Sequence, residues 1–98
     1  MVRISTTRQR RMEELGNSIR SWRKASRLTA AIVAERAGIT RDTLRAIEEG
    51  SGSVRVENLF AVLEALGIDP LVLAAVDPMN NERGRALAAR GLPERVRA

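Results

Sequence analysis

The stretch from Leu28 to Gly50, LTAAIVAERAGITRDTLRAIEEG, constrains this chain more than any other. Its apolar residues recur at helical spacing in two short runs: Val33, Ala34 and Ala37, then Leu44 and Ile47. A threonine precedes each run, Thr29 and Thr40, and a threonine hydroxyl accepts one of the backbone N–H groups that a helix start leaves unpaired. Gly38 and Gly50 follow the runs, and glycine takes the left-handed backbone that ends a helix at no steric cost. Ile39 anchors the turn. The pattern predicts one helix over 30–37 and a second over 41–49. The small residues Ala34 and Gly38 let the two approach closely and cross steeply.

That crossing is the geometry of a helix-turn-helix, whose second helix lies in the major groove of DNA. A plain helical hairpin in an all-α bundle is the bland alternative. It does not call for the ordered set Thr29, Ala34, Gly38, Ile39, Leu44, Ile47 and Gly50 in one short window.

Ninety-eight residues make one domain with room for tails. Phe60 and Trp22 are the only aromatic residues. Aliphatic side chains must therefore build the core, which suits packed helices rather than a strand-rich fold. The absence of cysteine and histidine excludes disulfides, thiolate and imidazole metal sites, and any Cys/His or Ser/His catalytic pair. Glu13–Glu14 and Glu48–Glu49 are neighbours in sequence, but adjacent helical residues diverge by about 100° and do not converge on a substrate. No enzymatic activity, cofactor or metal is expected. No apolar run approaches the ~20 residues needed to cross a bilayer. The basic start has no apolar run behind it and is not a secretion signal. The expectation is a cytoplasmic, nucleoid-associated bacterial protein.

The net charge of +5 is unevenly spread. Residues 1–12 carry +4 from Arg3, Arg8, Arg10 and Arg11, residues 13–76 carry −1, and residues 77–98 carry +2. Basic ends favour a polyanion such as DNA through counterion release. The alternative is a solvated end that binds nothing specific.

Residues 1–11, MVRISTTRQRR, lack periodicity and are expected to form a flexible basic arm. A first helix over 12–27 would bury Met12, Leu15, Ile19 and Trp22 on one face. Arg20, Arg23, Lys24 and Arg27 would line the other, from which some could reach phosphates. Gly16 reads as a weak spot, costing about 1 kcal/mol relative to alanine. After a loop at 51–55, a helix over 56–66 would turn Val56, Leu59, Phe60, Leu63 and Leu66 to the core, and Gly67 would stop it. Asp69 can cap a fifth helix with Pro70 at its first position, where a missing N–H costs nothing. That helix is apolar all round and needs cover. A two-fold partner meeting it through Leu71, Val72, Leu73 and Val76 is the simplest cover; folding back over the first helix is the other. Asp77-Pro78 ends the 12–76 domain. Residues 77–98 are expected to be a tail, disordered or docking on a partner, with a helical turn or two at 85–90.

Arg23, the Leu28–Gly50 stretch and the 56–66 helix together resemble the Xre/Cro/C1 family of helix-turn-helix DNA-binding domains. The likeness spans residues 15–76 and rests on the leucine-threonine before the second helix, the ERAGIT turn, the threonine-leucine of the third helix and the IEEG ending. It implies an all-α, five-helix, lambda-repressor-like domain that forms a homodimer on a double-stranded operator with two half-sites. Residue by residue, it implies that Arg41 and Asp42 read base edges and that Ala46 touches a thymine methyl, with Arg45 on the neighbouring exposed face. Thr29, Thr40 and Thr43 would hold phosphates; Arg55, at a position where the chain departs from the family, would add a phosphate contact of its own. Arg23 and Glu48 would form an internal pair bracing the first helix against the third.

The sequence departs from the family pattern in three places. Ala30 replaces the usual polar residue at the head of the second helix, Ile32 stands where a charge is usual, and Val54-Arg55 replaces a common proline-serine pair. The tail segment ERGRALAARGLPERVR resembles the arginine-rich ends of Xre proteins encoded beside HipA-type kinase toxins. Together the likenesses imply a sequence-specific repressor that acts as a HipB-like antitoxin and regulates its own operon. The alternatives are a free-standing regulator without a toxin and a protein–protein adaptor that kept the fold.

Overall fold

The structure, a computed structural model, describes residues 5–91, 93 and 94. All regular structure among them is helical: α1 (Thr6–Ala25), α2 (Ala30–Ala37), α3 (Arg41–Glu49), α4 (Val56–Leu66), α5 (Asp69–Val76), a 3-10 turn (Pro78–Asn80) and α6 (Glu82–Ala88). They fall into two compact units divided between Ile68 and Asp69. The fifth helix thus groups with the segment that follows it.

In the first unit α1 packs on α3 and α2 on α4, with α2 crossing α3. The core is Ile19, Val33, Ala34, Leu44, Ile47, Val62, Leu63 and Ile68. Fully burying a Val, Leu or Ile side chain contributes about 1.5–3 kcal/mol, so these few aliphatic residues carry the unit. Thr29 and Thr40 cap α2 and α3 by accepting from the backbone N–H of Ile32 (3.2 Å) and Thr43 (3.1 Å). Gly38 and Gly50 end those helices at φ 69° and 80°. The Ile39 and Ser51 N–H groups then close back onto Ala34 and Ala46 carbonyls at 3.0 and 2.9 Å.

Several sequence expectations need correction. Helix α1 starts at Thr6, not at Met12, so residues 6–11 are helix rather than flexible arm. Ser5 caps it, accepting from Arg8 N–H at 3.4 Å, and nothing in TTRQRR breaks a helix. Gln9 also ties this turn to the end of α3, donating to the Gly50 carbonyl at 3.2 Å. Residues 1–4 of the expected arm lie outside the described residues.

The buried stripe of α1 also differs. Ile19 is buried and Met12 half-buried, but Leu15 and Trp22 are exposed. The seam against α3 runs through Gly16, Ile19 and Arg23 instead. Gly16 is therefore a contact point and not a weak spot: a Cβ there would stand 2.5 and 2.6 Å from the carbonyl oxygens of Glu48 and Ile47. In α4, Val56 is exposed at its free end, while Val62 joins Leu63 in the core. Leu15 and Val56 line an open apolar cleft of about 130 Å3 with Met12, Val54 and Leu59.

In the second unit Leu71, Leu73 and Val76 are exposed and Val72 half-buried. The expected tail begins with ordered structure: the helix lies at 82–88 rather than 85–90. Side-chain caps explain it. Asp77 accepts from Met79 N–H (2.9 Å) and Asn81 from Gly84 N–H (3.0 Å), while the Asn80 amide donates to the Ala74 carbonyl (3.0 Å) and Arg85 to that of Met79 (3.2 Å). Asp and Asn are strong cap formers, so short polar segments can hold helical turns without a large core. Residues 92 and 95–98 of the expected tail lie outside the described residues.

Candidate nucleic-acid interface

Helix α3 divides cleanly by face. Leu44, Ile47 and Glu48 are buried; Arg41, Asp42, Arg45 and Glu49 are exposed; Thr43 and Ala46 are half-buried between them. The buried carboxylate is the anchor. Arg23 donates to Glu48 through Nε (2.7 Å) and Nη2 (3.0 Å), and its Nη1 reaches the Leu28 carbonyl (3.2 Å). Arg20 adds a third bond to Glu48, from Nε at 3.2 Å. Burial pushes the Glu48 carboxyl up, but hydrogen bonds from Arg23 and Arg20 and their positive charges outweigh it and hold the group below the ordinary glutamate value. The hydrogen bond to Glu48 likewise holds Arg23 more firmly protonated, against the opposing effect of burial. The pair therefore stays ionised and fixes α1 to α3.

Two clefts flank the exposed ridge of α3. The first, about 280 Å3, lies between α1, the head of α2 and α3, and is lined by Arg20, Arg23, Lys24, Ala30, Arg41 and Arg45, with Glu48 and Glu49. The second, about 380 Å3, lies between α3 and the α3–α4 connection, lined by Asp42, Thr43, Ala46, Ser53, Arg55 and Asn58. The residues expected to meet DNA are thus split: Arg41 and Arg45 face one cleft, Asp42, Thr43, Ala46 and Arg55 the other.

The family of helix-turn-helix proteins matches this chain over residues 19–73, more than half its length. The chain belongs to the Xre/Cro/C1-type helix-turn-helix family. Comparison with curated proteins and with solved structures finds no match. As a member of this family the protein is a DNA-binding transcription regulator, and the family is not an enzymatic one. No single helix among the described residues is long and apolar enough to cross a membrane.

Within this helix-turn-helix, hydroxyl protons are already partly committed. Thr40 donates to Thr43 Oγ1 at 2.9 Å while accepting from the Thr43 N–H, so its hydroxyl is spent on shaping the start of α3. Thr29 and Thr43 only accept in these contacts, and a hydroxyl keeps one donor of its own. Arg45 sits 3.9 Å from Asp42, and Arg55 3.5 Å from Glu57, both pairs largely exposed. Such surface pairs are worth ~0–1 kcal/mol and yield readily to a phosphate.

Residue-level sequence reasoning did not single out three residues that line these clefts. Glu49 lies beside the cationic group and Asn58 and Ser53 line the second cleft. Glu49 was legible from helical spacing, since it follows Asp42 and Arg45 by seven and four residues. Ser53 and Asn58 required the fold, because only the α3–α4 connection brings them beside Thr43.

Proposed function

We propose that this regulator is a sequence-specific repressor that enters the major groove with the N-terminal half of α3. The observation that carries the reading is the exposed Arg41–Asp42 pair at the start of a helix that Glu48, one helical repeat further on, fixes to α1. Arg41 is suited to the O6 and N7 acceptors of guanine, Asp42 to a cytosine amino group and Ala46 to a thymine methyl. Thr29 and Thr43 donate to phosphates, Thr40 positions Thr43, and Arg55 and Arg45 add backbone contacts. The protein acts as a homodimer, with Leu71, Val72, Leu73 and Val76 of α5 meeting their copies. Half-sites then lie about one turn of DNA, ~34 Å, apart. Its place is the cytoplasm, on the nucleoid.

The testing experiment is selection of duplexes from a random pool, followed by a gel shift across salt concentrations. A two-fold symmetric consensus bound by two copies supports the reading. Binding without any enriched sequence overturns it.

A second reading makes the repressor the HipB-like antitoxin of a HipA-like kinase toxin. It is favoured by the likeness of the ERGRALAARGLPERVR segment, together with the exposed Leu87 on α6 as a docking point. A pull-down comparing the full chain with residues 1–76 tests it. Capture of a kinase-like protein encoded in the same operon, lost on truncation, supports it. Operator binding with no such capture leaves a free-standing repressor. Loss of DNA binding with a protein partner retained would favour the adaptor.

A further inference from the structure

We propose that the cleft on the α1 side of α3 is a second clamp for the DNA backbone, in which Arg20 and Lys24 hold one phosphodiester. This inference rests on the DNA-binding reading and adds a site on a helix that reading does not use for contact. The cleft gathers five cationic side chains, Arg20, Arg23, Lys24, Arg41 and Arg45, against two carboxylates, Glu48 and Glu49, leaving an excess of +3. Arg23 is largely committed to the fold: each of its three nitrogens already donates to Glu48 or to Leu28.

Arg20 is not. It donates to Glu48 through Nε alone, so among the described residues its two terminal nitrogens have no partner, and its side chain is 38% exposed. That single bond orients the fork before a ligand arrives, which lowers the ordering cost of binding. Lys24 lies four residues on, on the same face of α1, and its side-chain ammonium makes no hydrogen bond or ion pair among the described residues. Like charges at this spacing repel, and an anion between them relieves the repulsion.

The floor supplies the room. Ala30 stands at the head of α2 with no side-chain donor and leaves about 280 Å3 open between α1 and α3. A phosphodiester presents one charge on two equivalent oxygens, which suits a guanidinium fork on one side and an ammonium on the other. The clamp thereby supplies, from α1, a backbone contact that the alanine cannot make. Glu49 on the rim opposes an anion, which places the phosphate on the Arg20–Lys24 side.

The test is the salt dependence of binding for the full chain, on a duplex selected from a random pool and on the unselected pool. Lys24→Gln and Arg20→Gln should each weaken both by the same factor and flatten the slope of log affinity against log salt by about 0.9 for each bound copy. Arg20→Lys should restore the slope. Arg36→Gln, at the far end of α2 and outside the cleft, separates a local contact from net charge. An unchanged slope with intact binding overturns the clamp, and so does an equal change from Arg36→Gln. A rise in melting temperature with inorganic phosphate over chloride at matched ionic strength, without a slope change in the variants, assigns the cleft to a free anion and also overturns it. A wild-type chain that retards no duplex overturns the DNA reading itself and the clamp with it.

Discussion

Gly16→Ala sets two elementary effects against each other. Alanine in a helix interior is favoured over glycine by about 0.8–1.0 kcal/mol, so propensity alone predicts a more stable protein. In the structure a Cβ at residue 16 would meet Glu48 O at 2.5 Å, Ile47 O at 2.6 Å and Glu48 C at 2.8 Å. An unstrained carbon–oxygen contact is about 3.3–3.6 Å, so α1 and α3 must part by roughly 1 Å at that point. All three atoms are backbone and none can swing aside. The Arg23 Nε–Glu48 Oε2 bond of 2.7 Å pins the same turn of α3, so separation also stretches a buried ion pair. Overpacking of this kind costs about 1–3 kcal/mol and more when the backbone must move. With the upper figure, the net is a loss of about 2 kcal/mol after the propensity gain. For a domain of this size that lowers the melting temperature by roughly 8–16 °C. Thermal unfolding followed by far-ultraviolet circular dichroism measures it. Asn17→Ala, one residue along on the exposed side of α1, is the control and should raise the midpoint slightly. A Gly16→Ala protein more stable than wild type would refute the close approach of α1 and α3.

Arg41→Ala should cost about 1–3 kcal/mol on the selected duplex and relax preference at one position; an equal loss on random DNA would contradict a base-reading role. The Glu48 carboxyl titrates lower in the folded protein than when unfolded, so its contribution is fully present above the ordinary value of 4.5 and is lost as pH falls through the lowered folded value. Urea midpoints of Glu48→Gln should therefore vary less with pH across that acid window than those of wild type. Arg27 holds φ 58°, a left-handed conformation that costs a side-chain-bearing residue about 1–2 kcal/mol. Arg27→Gly should raise the unfolding midpoint, and a lowered one would mean that the arginine side chain itself supports the α1–α2 link. Gly50→Ala combines φ 80° with a Cβ 2.7 Å from Glu13 N, and should destabilise more than Gly16→Ala in the same melts.

Elements whose signals are local were legible in the sequence. The bounds of α2 and α3 follow from Thr29, Gly38, Thr40 and Gly50, each acting on its own backbone within four residues. The apolar periods of α2 and α3 placed Val33, Ala34, Leu44 and Ile47 in the core because those helices are short and one-sided. Helix α1 is long and polar, and there the same method holds for Ile19, and half for Met12, but not for Leu15 and Trp22. Leu15 and Trp22 are the larger apolar residues, yet the face that meets α3 carries Gly16 and Arg23. A glycine and an arginine have no apolar signal; their value lies in close backbone approach and in a carboxylate donated by another helix 25 residues away. The helical turns of the tail, expected at 85–90 and found at 78–80 and 82–88, are misplaced by the sequence for a related reason. Little apolar surface is available to bury there, and Asp77 and Asn81 hold the turns by capping. At the interface, the face carrying Arg41, Asp42 and Arg45 follows from helical spacing. The division into two clefts does not, since Arg20, Lys24, Ser53 and Asn58 arrive from other elements.

The recognition helix owes its position to the seam behind it. Nine residues are too few for a helix to persist alone in water, so packing must hold α3 in place. Three features of α1 and the end of α3 do so: Gly16 sets how closely the axes approach, the arginine pair on Glu48 sets rotation, and Gly50, with its N–H and carbonyl tied to Ile47 and Gln9, sets where the helix stops. Leu44 and Ile47 would tolerate several rotations of α3 about its axis, because apolar contact has little direction. A buried carboxylate with three charge-assisted hydrogen bonds tolerates one. Its net contribution to stability is reduced by the cost of burying the charge, while its contribution to orientation is not. Arg41 and Glu48 are seven residues apart and lie on nearly the same flank of α3, so fixing the one fixes the direction in which the other leaves the helix.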